Sequence, residues 1–226
     1  MKRDRTEDDP KLVLYSYWRS SCSWRVRIAL ELKGLPYEYR AVNLLKGESE
    51  HAEYLAVNPS GMIPTLLDGS VKISESLAIL EYLEEKFPGR NGSSLLPRRF
   101  EDRAIVRRIA LHIVAAIQPL QNLGILERVE ALAGKQARAQ WGTSVIEEGL
   151  SRLEEMLKDT AGQYCVGDSI TFADLCLVPQ AYNAARFGVS MEGYPTAFAV
   201  LKRLESLDAF KAAHPDAMPD AVKEAQ

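Results

Sequence analysis

The chain reads as an α/β domain followed by an all-helical one. From Leu12 to Phe87, strand and helix patterns alternate in the order β-α-β-α-β-β-α. After the stretch Pro88-Gly89-Arg90-Asn91-Gly92-Ser93-Ser94 strand patterns nearly vanish, and apolar residues recur at helical spacing. A further observation concerns use: Ser20-Ser21-Cys22-Ser23 stands where the first strand hands over to the first helix.

The compact apolar run Leu12–Trp18 predicts a strand, and Cys22–Lys33 a helix stopped by Gly34. Tyr37–Asn43, rich in aromatic and β-branched residues, predicts a second strand, and Glu48–Val57 a short helix. Asn58-Pro59-Ser60-Gly61 is a turn cluster. Thr65–Leu67 and Val71–Ile73 flank Asp68-Gly69-Ser70, a hairpin signal. Helical spacing returns over Glu75–Phe87 through Leu77, Ile79, Leu80, Leu83 and Phe87. In the second half, Arg98–Arg128 shows helical spacing, with Pro119 expected to kink that helix or mark a break, because proline lacks the amide donor and clashes with the preceding turn. Ala137–Lys158, Thr171–Phe187 and Tyr194–Leu207 follow as helices. The expected division is a mobile tail at 1–10, a first domain at 11–88, a linker at 89–95 and a helical domain at 96–226.

Composition sets outer bounds. The chain has 226 residues, 46% of them apolar and 26% charged, as in ordinary globular domains. A net charge of -3 leaves no electrostatic footprint for nucleic acid or an anionic membrane. No run approaches the roughly 18 apolar residues of a membrane span, and the charged N-terminus lacks a signal core. Cys22, Cys165 and Cys176 are too few and too irregular for a disulfide framework. Together these predict a cytoplasmic protein. His51, His112 and His214 lack metal-ligand spacing, so no metal is expected.

Three short segments carry chemistry. Ser20, Ser21 and Cys22 sit at a helix start, where serine is a favoured cap. The same place suits an anion, because first-turn N–H groups are unpaired and carry partial positive charge. Lowering a thiol pKa of about 8.5 by two units takes about 2.7 kcal/mol. A charge-assisted hydrogen bond contributes roughly 1.5–3 kcal/mol and a helix terminus about 0.3–1, so no cationic base is needed. Cys22 could itself be a nucleophile, but Arg25 occupies the second position of a Cys-x-x-Cys pair, which argues against a dithiol oxidoreductase.

The second segment is Met62-Ile63-Pro64-Thr65. A cis Ile63–Pro64 bond after the turn would leave the Ile63 main chain to pair with an extended peptide. The third is Ser74-Glu75-Ser76. Either it caps a helix, or the helix N-terminus and Ser76 bind a carboxylate while Glu75 holds an ammonium, the two charges of an α-amino acid. Thr171-Phe172-Ala173-Asp174, with Ile170 and Leu175 as a staple, is a structural capping box.

In this order the segments resemble the cytosolic glutathione transferases: a thioredoxin-like first domain and an all-α second domain. Ser20-Ser21-Cys22-Ser23-Trp24-Arg25-Val26-Arg27 is similar to the signature of the zeta class, whose characteristic activity is maleylacetoacetate isomerisation. Gln118-Pro119-Leu120-Gln121-Asn122-Leu123 and Tyr164-Cys165-Val166-Gly167-Asp168 resemble that class too. The resemblance implies glutathione as cofactor, bound by Ser20, Ser21, Cys22, Ser23, Trp24, Arg25, Ser49, Ile63, Pro64, Glu75 and Ser76. It adds Gln118, Asn122, Leu123 and Gly124 from the helical domain. It makes Ser20, then Ser21 and Cys22, the candidates for activating the thiol, and gives Arg186, with Arg25, to the carboxylates of a small diacid substrate. Many members carry glutamine where Ser49 stands, some have glutamine for Glu75, and others serine for Gly124. The class implies a homodimer and a cis–trans isomerase of tyrosine and phenylalanine breakdown, with side activity on α-halo acids. A general conjugating transferase or peroxidase, and a non-catalytic module of the same fold, are the alternatives.

Overall fold

The structure, a computed structural model, describes residues 11–222; the expected N-terminal tail at 1–10 lies outside the described residues. The described residues form two compact units, 11–94 with 207–222, and Leu95–Ser206.

The first unit is built on a four-stranded sheet of order β2-β1-β3-β4, from β1 (Leu12–Ser16), β2 (Tyr37–Ala41), β3 (Thr65–Asp68) and β4 (Val71–Ser74). β1 runs parallel to β2 and antiparallel to β3, with Leu14 opposite both Tyr39 and Leu66. The parallel step needs a crossover, and α1 (Ser21–Leu32) supplies it. Apart from Cys22, residues 21–30 of α1 are all buried, among them Val26, Ile28, Ala29 and Leu30. Ile79, Leu80 and Leu83 of α3 (Ser76–Lys86) join the same core. The predicted hairpin forms, with Gly69 at φ 60 in the tight β3–β4 turn.

Two expectations here are corrected. The first strand stops at Ser16 rather than Trp18, because Ser20 N–H bonds the Tyr17 carbonyl (3.0 Å) and closes a turn. The helix expected over Glu48–Val57 breaks into a 3-10 turn at Glu48–Glu50 and the single turn α2 (Ala52–Leu55). The cause is local. Asn43 Oδ1 accepts from the Leu45 and Lys46 amides, Glu48 Oε2 accepts from the Asn43 amide (2.7 Å), and His51 is extended between the two turns.

The second unit is helical: α4 (Phe100–Leu111), α5 (Leu123–Lys158), α6 (Phe172–Arg186) and α7 (Pro195–Glu205). The long helix expected over Arg98–Arg128 ends instead at Leu111. It passes through a widened π turn, His112–Ile117, into a 3-10 turn, Gln118–Gln121, with Pro119 near its start. Asn122 is extended, and α5 begins after it; at Gly134 (φ 86, ψ 171) the backbone leaves helical geometry, so α5 is two helices in succession, and the helix predicted from Ala137 starts just past that break. The π turn is held by close packing. A Cβ at Gly149 would collide with the Ile117 side chain, and His112 Nε2 lies 2.9 Å from the Gly149 carbonyl oxygen. The predicted Asp174 cap is present: its carboxylate accepts from the amides of Thr171 (2.7 Å) and Cys165 (2.8 Å) and from the Thr171 hydroxyl (2.9 Å). Among the described residues, no single helix is long and apolar enough to cross a membrane.

The last segment corrects the expected boundary of the helical domain. α8 (Asp208–Ala212) and the 3-10 turn Pro215–Ala217 cluster with the first unit, where Met218 and Ala221 pack against Tyr17, Trp18, Val42, Tyr54 and Ile63. Helical periodicity cannot report this, since it says which face is apolar and not what covers it.

α7 starts with proline and borrows its cap from α5: buried Glu154 accepts from the amides of Thr196 (2.9 Å) and Ala197 (3.0 Å). Burial raises the Glu154 pKa, but these bonds outweigh it and hold the carboxyl below its ordinary value. The stabilisation is therefore present above the unfolded carboxylate pKa and is lost as pH falls through the depressed folded one. Glu154→Gln should lower the unfolding free energy by about 1–2 kcal/mol at neutral pH. Urea titrations at decreasing pH should show the difference shrinking below pH about 4.

Candidate functional site

The turn after β1 delivers Ser20 to the N-cap of α1, where its Oγ accepts from the Ser23 amide (3.2 Å). This is the capping role, and it leaves the other role open: a hydroxyl that accepts still has a hydrogen to donate. Ser21 and Cys22 occupy the first turn beside it, Ser21 nearly buried and Cys22 half-buried. Ser23 and Trp24 face the core. The helix therefore presents hydroxyls and first-turn amides at its open end, the arrangement that stabilises an anion.

Arg25 does not stand where the sequence reading places it. Its side chain has 0% exposure, so it offers no surface to a substrate carboxylate. Nη1 donates to Ser76 Oγ (3.2 Å) and lies 3.8 Å from Cys22 Sγ, tying the first turn of α1 to the start of α3. Nε and Nη2 are buried with no hydrogen-bond partner among the described residues. The partly exposed cation at this turn is Arg19, stacked on Trp18 with its guanidinium carbon 4.9 Å from the ring centroid. Sequence reasoning missed it, although an arginine directly before a serine cap at a strand–helix junction was the available signal.

Ile63–Pro64 is cis, as expected, and both residues are buried just ahead of β3. The preceding carbonyl, that of Met62, is gripped by Tyr54 Oη (2.6 Å) and Asn58 Nδ2 (2.7 Å). In a trans peptide C=O and N–H point in opposite directions, so these donors also aim the Ile63 amide away from them. Ser49 lies in the 3-10 turn after β2, and its main-chain carbonyl approaches Gly61 at φ 66, where a side chain would be crowded as well as strained. Glu75 precedes α3 at φ 68, ψ 115, an unusual conformation for a residue with a Cβ, and is exposed. Ser76 is buried against Arg25.

The second unit holds the remaining predicted residues. Gln118 is buried and donates through Nε2 to Asn122 Oδ1 (2.6 Å). Gln121 and Gln180, both buried, exchange two amide hydrogen bonds (3.0 and 3.2 Å) and fix that turn. Leu123 and Gly124 are exposed in the first turn of α5, and Arg186 is exposed in the last turn of α6. Among the described residues no group of three acidic, histidine or cysteine side chains could hold a metal ion.

Comparison with known proteins agrees with this layout. The glutathione S-transferase N-terminal domain family matches residues 14–91, and the C-terminal domain family matches 128–213. The maleylacetoacetate isomerase of Mus musculus is 47% identical over 216 residues, spanning 95% of this chain and 97% of its own. The probable maleylacetoacetate isomerase of Vibrio cholerae is 47% identical over 214 residues, 93% of this chain and 98% of its own. Among solved structures, the glutathione-bound maleylacetoacetate isomerase of Anaeromyxobacter dehalogenans superposes with TM-score 0.86 at 44% identity, covering 95% and 99% of the two chains. A bacterial zeta-class maleylpyruvate isomerase gives 0.88 at 40% identity, covering 93% and 100%. The chain belongs to the glutathione S-transferase family, and within it to the zeta class.

A buried guanidinium with two unpartnered nitrogens is a cost to folding rather than a contribution to it. Arg25→Met, of similar reach and apolar, is accordingly expected to unfold at the same urea midpoint as wild type, or at one corresponding to up to about 2 kcal/mol more stability. A loss above about 3 kcal/mol would instead mark Arg25 as a structural residue.

Proposed function

We propose that the protein is a glutathione-dependent cis–trans isomerase that converts maleylacetoacetate to fumarylacetoacetate in tyrosine and phenylalanine breakdown. One observation carries the reading: the α1 turn offers an anion two serine hydroxyls and a helix N-terminus, and Arg25 joins it to a second helix start at Ser76. These residues fit a thiol tripeptide with an α-amino acid at one end. Ser20, with Ser21 beside it, donates to the sulfur and holds it ionised. Ile63 pairs through its main chain with the central residue. Ser76 and the α3 N-terminus take the terminal carboxylate, whose charge faces buried Arg25, and Glu75 takes the ammonium. Gln118, Asn122, Leu123 and Gly124 are assigned to glutathione as well.

Bound glutathione supplies a thiolate that adds reversibly to the cis double bond, so that rotation about the resulting single bond precedes elimination to the trans product. The chain itself orients the diacid and stabilises the enolate charge that develops. Arg19, partly exposed, and Arg186, exposed, suit the substrate carboxylates. Diacid ligands in relatives support this: the Anaeromyxobacter dehalogenans enzyme is known with dicarboxyethyl glutathione and citrate in its active site, and a Methylobacterium relative with malonate and glutathione. We take the protein to be a cytoplasmic homodimer, on the class resemblance and its composition. The fit to a maleylpyruvate isomerase favours a second reading, in which the shorter keto diacid is the substrate.

The test mixes purified protein, glutathione and either maleylacetoacetate or maleylpyruvate, and follows the trans product. Turnover of maleylacetoacetate with the higher kcat/KM is expected. Ser20→Ala should lower kcat on the order of 10²-fold, while Cys22→Ala keeps most of the activity. No trans product above background from either substrate would end the proposal.

A further inference from the structure

Trp18, two residues before Ser20, is held through the two peptide groups that flank its Cα. Its N–H donates to Asp220 Oδ2 (3.1 Å), and its carbonyl accepts from Arg27 Nη2 (2.9 Å). Arg27 is fully buried and continues along the same turn: Nη1 donates to Ser16 Oγ (3.2 Å) and the Tyr17 carbonyl (3.3 Å). Its Nε reaches the carbonyl of Ala213 in the C-terminal segment (3.2 Å). The second Asp220 oxygen accepts from the Tyr39 hydroxyl on β2 (2.7 Å). His214 meets the Trp24 ring edge-on at 5.2 Å. The backbone from Ser16 to Ser20 is thus fixed link by link, ending in the Ser20 amide on the Tyr17 carbonyl (3.0 Å).

Arg27, Asp220, Tyr39 and His214 take no part in the chemistry proposed above. Among the described residues Arg27 is a buried cation bonded to neutral oxygens, and it meets Asp220 across the Tyr17–Trp18 peptide, whose carbonyl accepts from Arg27 Nη1 and whose N–H donates to Asp220. The Trp18 amide lies across the end of β1, where the ladder no longer supplies an acceptor. An acceptor has to come from elsewhere, and it comes from a residue 202 positions away.

We propose that Asp220 is a positioning residue for the thiol turn: by fixing the Trp18 peptide against Arg27, the C-terminal segment sets where Ser20 presents its hydroxyl. A hydroxyl that must meet a sulfur within a few tenths of an ångström is sensitive to such support. The inference rests on the reading of the Ser20 turn as the thiol site, and its test separates the two.

Full-length Asp220→Ala, Asp220→Asn and Asp220→Glu are compared with wild type and with Tyr39→Phe. The readouts are kcat and KM for each substrate, and the titration of bound glutathione by the ultraviolet absorbance of its thiolate. Asp220→Ala should lower kcat about tenfold and move the bound thiol toward the titration of free glutathione, with KM for maleylacetoacetate within about twofold. Asp220→Asn, whose amide oxygen still accepts from Trp18, should recover most of both, which separates loss of the bond from loss of the charge. Asp220→Glu keeps the charge but moves the acceptor, and should behave like Asp220→Ala in a folded protein. Tyr39→Phe should stay within about twofold of wild type. Wild-type values for Asp220→Ala, or Asp220→Asn as impaired as Asp220→Ala, would overturn the inference alone. If wild type bound glutathione only as the thiol, the thiol-site reading would fall and the inference with it.

Discussion

Three buried cations at α1 and its C-terminal end link it to the rest of the first unit, and two of them, Arg25 and Arg27, reach the turn that forms the candidate site. Arg25, Arg27 and Lys33 are among the largest fully buried side chains. Each reaches a different part of the fold. Arg25 joins Ser76 at the head of α3, and Arg27 binds the turn that leads from β1 into α1. Lys33 pairs with Glu84 (2.7 Å) and donates to the Phe87 and Ser93 carbonyls, closing the connection after α3. A charge removed from water costs several kcal/mol unless hydrogen bonds replace its hydration. Arg27 and Lys33 meet that condition, and Arg25 does not. Burial also pushes the Arg27 pKa down, with Tyr39, Tyr37 and Asp220 opposing the shift.

The difference between the two arginines bears on function. They stand two positions apart on a helix buried almost all round, so one points toward the sheet end and the other toward α3. Arg27 is satisfied and rigidifying. Arg25 keeps two nitrogens, Nε and Nη2, without a hydrogen-bond partner among the described residues, between two helix starts where an anion would be welcome. On the proposed reading, a site built this way would hold a thiolate and a carboxylate with hydroxyls, amides and one buried cation. That suits a reaction in which the thiol adds and leaves again, because the sulfur must be ionised but not so strongly held that it loses its reactivity.

Much of this was legible from local patterns. The strand–helix order, the tight turn at Gly69, the serine cap of α1 and the Asp174 cap of α6 each follow from residues within a few positions of one another. What was misread had a distant partner. Arg25 looked like a substrate contact because its burial is decided by Ser76, and Arg19 was passed over although it is the partly exposed cation. The helix expected over Glu48–Val57 failed to a carboxylate that folds back on the Asn43 amide, an interaction that helical periodicity does not weigh. The π turn before Gln118 exists because Gly149 admits Ile117 at close range, which no window around residue 117 contains.

By itself the sequence determined the class of the two units, the family, and the identity of the residues at each helix start, since caps, turns and periodicity act through neighbours along the chain. Tertiary structure alone decided which charges are buried, that the segment from Leu207 onward belongs with the first unit, and that Trp18 is fixed from Asp220. The physical reason is the same in each case. Burial and hydrogen-bond satisfaction are properties of what packs against a group, and for α1 those partners lie between ten and two hundred residues away.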